Sequence, residues 1–232
     1  MIATKFFSFA LLASSAAAQN VSLRYMPLGD SITEATCWRA LLWEMLQSTE
    51  FASVDWVGSG TFDFICGDMK YDRNNEGHSG YLATGIANLN LLTGWLKSNP
   101  ADVITMHLGT NDIAYNRPTE EILAAFTTLV GVMRASNPRM KIIVAQIIPS
   151  TLPNLIPGIQ SLNNAIPVWA LGLTTLESPI WVVNQNKWFT GSDLRDGVHP
   201  NLAGDAKMAN IWFPALSQAL YYAKLDKLWG TA

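Results

Sequence analysis

Ser31 follows an apolar run, Leu23 to Leu28, in the segment Gly29-Asp30-Ser31-Ile32-Thr33, where the chain leaves a strand and turns toward a helix. A serine hydroxyl is a weak nucleophile until a base takes its proton and a third group orients that base. A serine in this place can also simply cap the helix start, so the partner decides between the two readings. Three histidines are present, His78, His107 and His199. His107 lies inside the apolar run Val103 to Leu108 and reads as a core histidine satisfied by hydrogen bonds. His78 lies in a long polar stretch. His199 stands in Asp196-Gly197-Val198-His199-Pro200, with a carboxylate three residues ahead. A turn there brings Asp196 to one ring nitrogen and leaves the other free for Ser31, although Asp196-Gly197 would turn with or without chemistry.

Two further segments bear on the negative charge that attack on a carbonyl develops. Gly109-Thr110-Asn111-Asp112 follows Val103 to Leu108, and the Asn111 amide there is placed to donate to an oxyanion. An Asx turn is the alternative. In Asn75-Glu76-Gly77-His78-Ser79-Gly80-Tyr81 the glycines, Gly80 first and Gly77 in reserve, let a backbone N–H approach a substrate closely. Ser79 is a weak rival nucleophile, because its surroundings fall one glycine short of Gly-x-Ser-x-Gly. The chain contains no Gly-x-x-x-x-Gly-Lys loop, no His-Glu-x-x-His and no cysteine pair at metal-ligand spacing. No cofactor and no metal are expected.

These residues need a scaffold, and the apolar runs supply one. Leu23 to Leu28, Val54 to Val57, Val103 to Leu108, Lys141 to Ile148 and Pro179 to Asn184 read as strands, the central ones apolar on both faces. Between them lie candidate helices at Trp38 to Gln47, Leu82 to Leu96, Thr119 to Ala135, Leu155 to Leu171 and Asn201 to Ala223. This alternation predicts an α/β fold, a three-layer α/β/α sandwich around a central parallel five-stranded sheet. Ligands of such sheets bind beyond the carboxyl ends of the strands, where the serine, asparagine and histidine segments all lie. The irregular stretch Gly58 to Gly80 is long enough to be a functional feature.

Nearly half the residues are apolar and about one in seven is charged, which supports a buried core and argues against disorder. The net charge is −3 and the 15 basic residues are scattered, so nucleic acid is not expected as a partner. Met1 to Ala18 has the charged, apolar and small-residue layout of a signal peptide, with cleavage before Gln19. No later stretch is long and apolar enough to span a bilayer. The expectation is a secreted, extracellular protein, monomeric and without a membrane partner, with residues 19–232 forming one domain. Cys37 and Cys66 would then pair as a disulfide, two separately buried thiols being the alternative. Asn20-Val21-Ser22 is a glycosylation sequon.

Taken in order, Gly29-Asp30-Ser31, the Gly80 segment, Gly109-Thr110-Asn111-Asp112 and Asp196-Gly197-Val198-His199 resemble the four blocks of the SGNH/GDSL hydrolase superfamily. Ile32 stands where that family often has leucine, a volume-conserving change. The resemblance implies the SGNH hydrolase fold and a serine acyl hydrolase with Ser31 as nucleophile, His199 as base and Asp196 as its orienter. It also implies an oxyanion hole built from the Ser31 and Gly80 N–H groups and the Asn111 side chain. A narrower likeness is to the carbohydrate esterase family 3 acetyl xylan esterases. Its residues are Met26-Pro27-Leu28 before the serine block, Cys37-Trp38-Arg39, Glu76 to Tyr81, Met106-His107-Leu108 before the asparagine block, and Asp196 to Pro200. This implies removal of acetyl groups from an acetylated polysaccharide or oligosaccharide. Rhamnogalacturonan acetylesterases, small lipolytic esterases and a silent carbohydrate-binding relative are the alternatives. Nine tryptophans, among them Trp38, Trp43, Trp56, Trp181 and Trp188, offer surfaces for sugar rings, though most such residues serve as core or groove wall.

Overall fold

The computed structural model describes residues 21–62 and 66–230. The signal segment 1–18, the cleavage point before Gln19 and the sequon residue Asn20 lie outside them. Within the described residues six parallel strands form one sheet: β1 (Arg24–Gly29), β2 (Asp55–Trp56), β3 (Glu76–Gly77), β4 (Val103–His107), β5 (Lys141–Gln146) and β6 (Ile180–Asn184). The main path runs β2-β1-β4-β5-β6, with β3 added on β1. These are the five expected strands and one more. β1 meets β2 through Arg24 and Tyr25 and β3 through Leu28 and Gly29. Pro27, which has no N–H to give to a ladder, falls at the step between the two partners.

Among the described residues eight α-helices flank the sheet: α1 (Ser31–Glu34), α2 (Trp38–Gln47), α3 (Ala83–Asn88), α4 (Leu91–Ser98), α5 (Thr110–Ala114), α6 (Thr119–Ser136), α7 (Ile156–Leu173) and α8 (Leu202–Trp229). Strand side chains alternate between two cores. Ile104, Met106, Ile142 and Val144 pack toward Phe126, Leu129, Ile159 and Leu162 of α6 and α7. Val103, Ile143 and Ala145 pack toward Trp38, Leu42, Trp212 and Leu216 of α2 and α8. Because both faces are covered, the strands are continuously buried, and the three-layer sandwich is present. The single helix expected over Leu82 to Leu96 is two, because Asn90 adopts a left-handed φ of 51° and restarts the chain as α4; asparagine tolerates that region better than most residues. The last helix runs past the expected Ala223 to Trp229.

Two devices tie the polar segment after β2 to the body. A disulfide joins Cys37, at the start of α2, to Cys66, with Cα atoms 5.2 Å apart. The buried Arg39 guanidinium donates to the carbonyls of Thr33, Glu34, Phe62 and Arg73. A fully buried cation is tolerable when its N–H fork is occupied this way. Removing it would release α1 and the segment before β3 together.

Candidate active site

The strand order reverses between β1 and β4, the place where open α/β sheets bind ligands. β1 delivers Ser31 to that edge and β4 delivers Asn111. Asp30 caps α1 by accepting the Ile32 N–H at 2.9 Å, which leaves Ser31 as the first helical residue. The Ser31 hydroxyl lies 2.8 Å from His199 Nε2, and His199 Nδ1 lies 2.8 Å from Asp196 Oδ2. The other oxygen of Asp196 accepts the N–H groups of Val198 (3.0 Å) and His199 (2.8 Å), an Asx turn that aims the carboxylate at the ring. Partial burial works to raise the Asp196 pKa, but the His199 and Val198 amides and the imidazole outweigh it and hold the carboxyl below its ordinary value. The turn needs Gly197: its φ is 87°, and a Cβ there would meet Thr151 Oγ1 at 2.6 Å. Its carbonyl is fixed by the Ser150 hydroxyl (2.7 Å) and the Thr151 N–H (3.0 Å).

The oxyanion-hole candidates lie around the same strand ends. Gly29 pairs with Gly77 across β1 and β3, and the His78 N–H donates to the Gly29 carbonyl at 3.0 Å, so the Gly80 segment leaves the sheet beside Ser31. Gly80 has φ 79°. The Ser31 and Gly80 N–H groups have no hydrogen-bond acceptor among the described residues, whereas the Gly77 N–H donates to Asn75 Oδ1 at 2.9 Å. That difference favours Gly80 over Gly77 as a free donor. Asn111 Nδ2 donates to the Tyr81 carbonyl at 3.0 Å and approaches Asp30 Oδ2 at only 3.5 Å. One amide hydrogen therefore anchors the side chain to the Gly80 segment, and the second is weakly held.

Ser79 and His78 do not form a second relay. The Ser79 N–H and hydroxyl both donate to Glu34 Oε2. The His78 ring pairs instead with buried Glu76 at 2.7 Å and stacks on Trp95 and Tyr81. His107 is buried: its Nε2 accepts the Ile148 N–H at 3.2 Å, its Nδ1 has no partner among the described residues, and burial lowers its pKa to about 4. It is a neutral core imidazole. Of the tryptophans, Trp38 and Trp56 are core, Trp43 and Trp181 are half-buried, and Trp188 is exposed.

Three supporting carboxylates carried no role in the sequence reading. Asp112 accepts the Ala83 and Thr84 N–H groups and the Thr84 hydroxyl at 2.8–3.0 Å, capping α3 just beyond the Gly80 segment. Glu34 holds Ser79. Asp30 sits buried beneath Ser31; burial, opposed by the Ile32 N–H and aided by the nearby charge of Asp112, pushes its pKa up to about 7. Asp112 was visible in the sequence as the last residue of Gly109-Thr110-Asn111-Asp112, but its partners lie 28 and 29 residues away. Among the described residues no group of three or more His, Cys, Asp or Glu is arranged to hold a metal ion.

The profile of the GDSL-like lipase/acylhydrolase family matches residues 28–207, which include all four blocks. The chain belongs to that family. As a GDSL hydrolase it is similar to a carbohydrate esterase family 3 protein from Talaromyces cellulolyticus, with 40% identity, a TM-score of 0.80, and coverage of 84% of this chain and 97% of the other. The same figures hold for a mutant acetyl esterase crystallised with an acetate ion. It is also 28% identical over 225 residues to a multidomain esterase of Ruminococcus flavefaciens, covering 82% of this chain. This GDSL hydrolase spans only 28% of the length of that relative.

Proposed function

We propose that the protein is a secreted serine esterase that removes O-acetyl groups from plant cell-wall polysaccharide, acetyl xylan first among the substrates, and that Ser31, His199 and Asp196 are its catalytic triad. The observation that carries this reading is the unbroken series of two 2.8 Å contacts from Ser31 Oγ through the imidazole to Asp196. In the first half-reaction His199 Nε2 takes the hydroxyl proton as Ser31 Oγ bonds to the acetyl carbonyl carbon. The resulting oxyanion is met by the Ser31 and Gly80 N–H groups and the Asn111 amide, donors fixed before the charge appears. Collapse breaks the carbon–oxygen bond to the sugar, and His199 gives its proton to the departing sugar hydroxyl. In the second half a water attacks the acetyl-enzyme with its proton going to His199, and acetate leaves as Ser31 is reprotonated. Asp196 keeps Nδ1 protonated and stabilises the imidazolium throughout.

The acetyl and carbohydrate parts of the reading are supported by the 40% identity to an acetyl esterase and to a family 3 carbohydrate esterase. The signal-peptide layout of residues 1–18 supports secretion, and a monomer acting on an acetylated glycan without cofactor or metal completes the proposal. A substrate panel tests it: acetate release should be fastest from acetylated xylan, slower from acetylated pectin and slowest from longer acyl esters. Preference for pectin would make the protein a rhamnogalacturonan acetylesterase, preference for long acyl chains a lipolytic esterase, and no turnover of any ester would sink the enzyme reading.

A further inference from the structure

Beyond the carboxyl ends of β5 and β6 lies a cavity of about 360 Å³, within the range of ligand pockets. It is lined by six side-chain amides, from Gln146, Gln160, Asn163, Asn164, Asn184 and Asn186. The helical wall is a regular stripe, since Ile156, Ile159, Gln160, Asn163 and Asn164 recur at i, i+3, i+4, i+7 and i+8 along α7. No charged side chain lines it.

Part of this amide cluster is structural. Asn163 accepts the Ile147 N–H at 2.7 Å and donates to the Ile147 carbonyl at 2.9 Å, continuing the ladder past the end of β5. Gln146 Nε2 donates to the Asn163 carbonyl at 2.6 Å. The others are uncommitted: the side chains of Gln160, Asn164 and Asn184 make no hydrogen bond among the described residues, and Asn186 reaches only the Ile147 carbonyl at 3.5 Å. Each free amide offers donors and an acceptor without net charge. That set matches a ligand whose groups are both donors and acceptors, namely hydroxyls, and offers no positive charge to offset a phosphate or a carboxylate. Pro149, Ile156 and Ile159 add apolar wall, suited to the C–H faces of a sugar ring. The cavity also adjoins the catalytic turn, because Ser150, one of its lining residues, donates to the Gly197 carbonyl. With neighbouring strands ~4.8 Å apart, the β5–β6 ends lie roughly 12 Å across the sheet from β1 and Ser31, a span that a short oligosaccharide bridges.

We propose that this cavity is a glycan subsite, binding an unmodified stretch of a neutral polysaccharide while an acetylated residue of the same chain lies at Ser31. The identity of the glycan rests on the carbohydrate reading above; the cavity's selectivity for neutral hydroxylated chains does not. The test uses a Gln160→Ala/Asn184→Ala double variant, whose truncated side chains hold no internal hydrogen bond. Loss of two hydrogen bonds should raise KM for acetylated xylo-oligosaccharides about tenfold while kcat/KM for p-nitrophenyl acetate stays within about twofold. In parallel, xylotetraose without acetyl groups should shift Asn and Gln side-chain amide NMR signals of the wild type and not those of the double variant. An unchanged KM for the oligosaccharide, an equal loss on both substrates, or no amide shifts with xylotetraose would each overturn the subsite. If the wild type released no acetate from xylan yet its amide signals still shifted, the subsite would stand and the substrate reading would fall.

Discussion

Two regions of this molecule contain a serine, a histidine and a carboxylate within hydrogen-bonding distance of one another's surroundings, and only one of them forms a relay. Between the end of β1 and the turn that precedes α8 the contacts run in series, Asp196 to His199 to Ser31. In the segment after β3 they run apart: His78 binds Glu76, Ser79 binds Glu34, and the imidazole is pressed against Trp95 and Tyr81. The functional groups are the same; connectivity differs. A base that is hydrogen-bonded to a carboxylate but has no hydroxyl on its other side orients a loop and activates nothing.

The largest effects should separate the two regions outright. Ser31→Ala and His199→Ala should each lower kcat on an acetyl ester by roughly 10⁴ to 10⁶, because the members of a triad fail as a unit. Ser79→Ala and His78→Ala should keep substantial activity. Turnover retained by Ser31→Ala and lost in Ser79→Ala, with both variants folded by circular dichroism, would move the nucleophile to the second region. Asp196→Asn keeps the base and loses its orienter, so a reduction of up to about 10⁴ is expected. Next in size is Asn111→Ala, which should lower kcat by about 10² to 10³ with a smaller change in KM, as expected of a donor that binds the transition state more tightly than the ester. Steady-state kinetics on one soluble acetyl ester checks all of these.

A stability difference comes after the catalytic ones. The polar segment that leads into the second region is tied down by the Cys37–Cys66 disulfide, which closes a separation of 29 residues. Replacing both cysteines by serine should destabilise the fold by roughly 3 kcal/mol in the chain-entropy account, read as a lower midpoint in urea. Oxidised and reduced wild type unfolding at the same midpoint would refute it.

The contrast between the regions also shows what a sequence can disclose. β1, β4, β5 and β6 were legible because burial on both faces writes a continuous apolar run, and the site segments were legible because they stand at the ends of those runs. β3 was not, since a two-residue strand of Glu76 and Gly77 in a polar stretch has no periodicity to detect. The break at Asn90 was hidden for a similar reason, one left-handed residue inside a helical pattern. Glu34, Glu76 and Asp112 escaped because their roles are set by partners 17 to 45 residues distant, apart from the local His78. The amide stripe on α7 was readable in principle as Gln160, Asn163 and Asn164 on one helix face, but its meaning depends on β5 and β6 ending opposite it.

The smallest expected effect concerns the carboxylate beneath Ser31. Glu76 in the second region has three donors, from Ser59 twice and from His78. Asp30 has one good donor, the Ile32 N–H, and a 3.5 Å approach from Asn111, and burial raises its pKa to about 7 from 3.8. A folded-state pKa above the unfolded one means that the native protein binds the extra proton between about pH 4 and pH 7. The stabilisation from that proton is complete below pH 4 and disappears as the pH climbs through 7, so wild-type stability should decline across the window by at most a few kcal/mol. Asp30→Asn retains an oxygen for the Ile32 N–H and cannot ionise, so it should remove this part of the decline. The difference in urea midpoint between Asp30→Asn and wild type should therefore increase in favour of the variant from pH 5 to pH 8. A difference that is flat, or that grows toward low pH, would show that Asp30 is charged in the native state throughout and that the Ile32 amide, not burial, governs it.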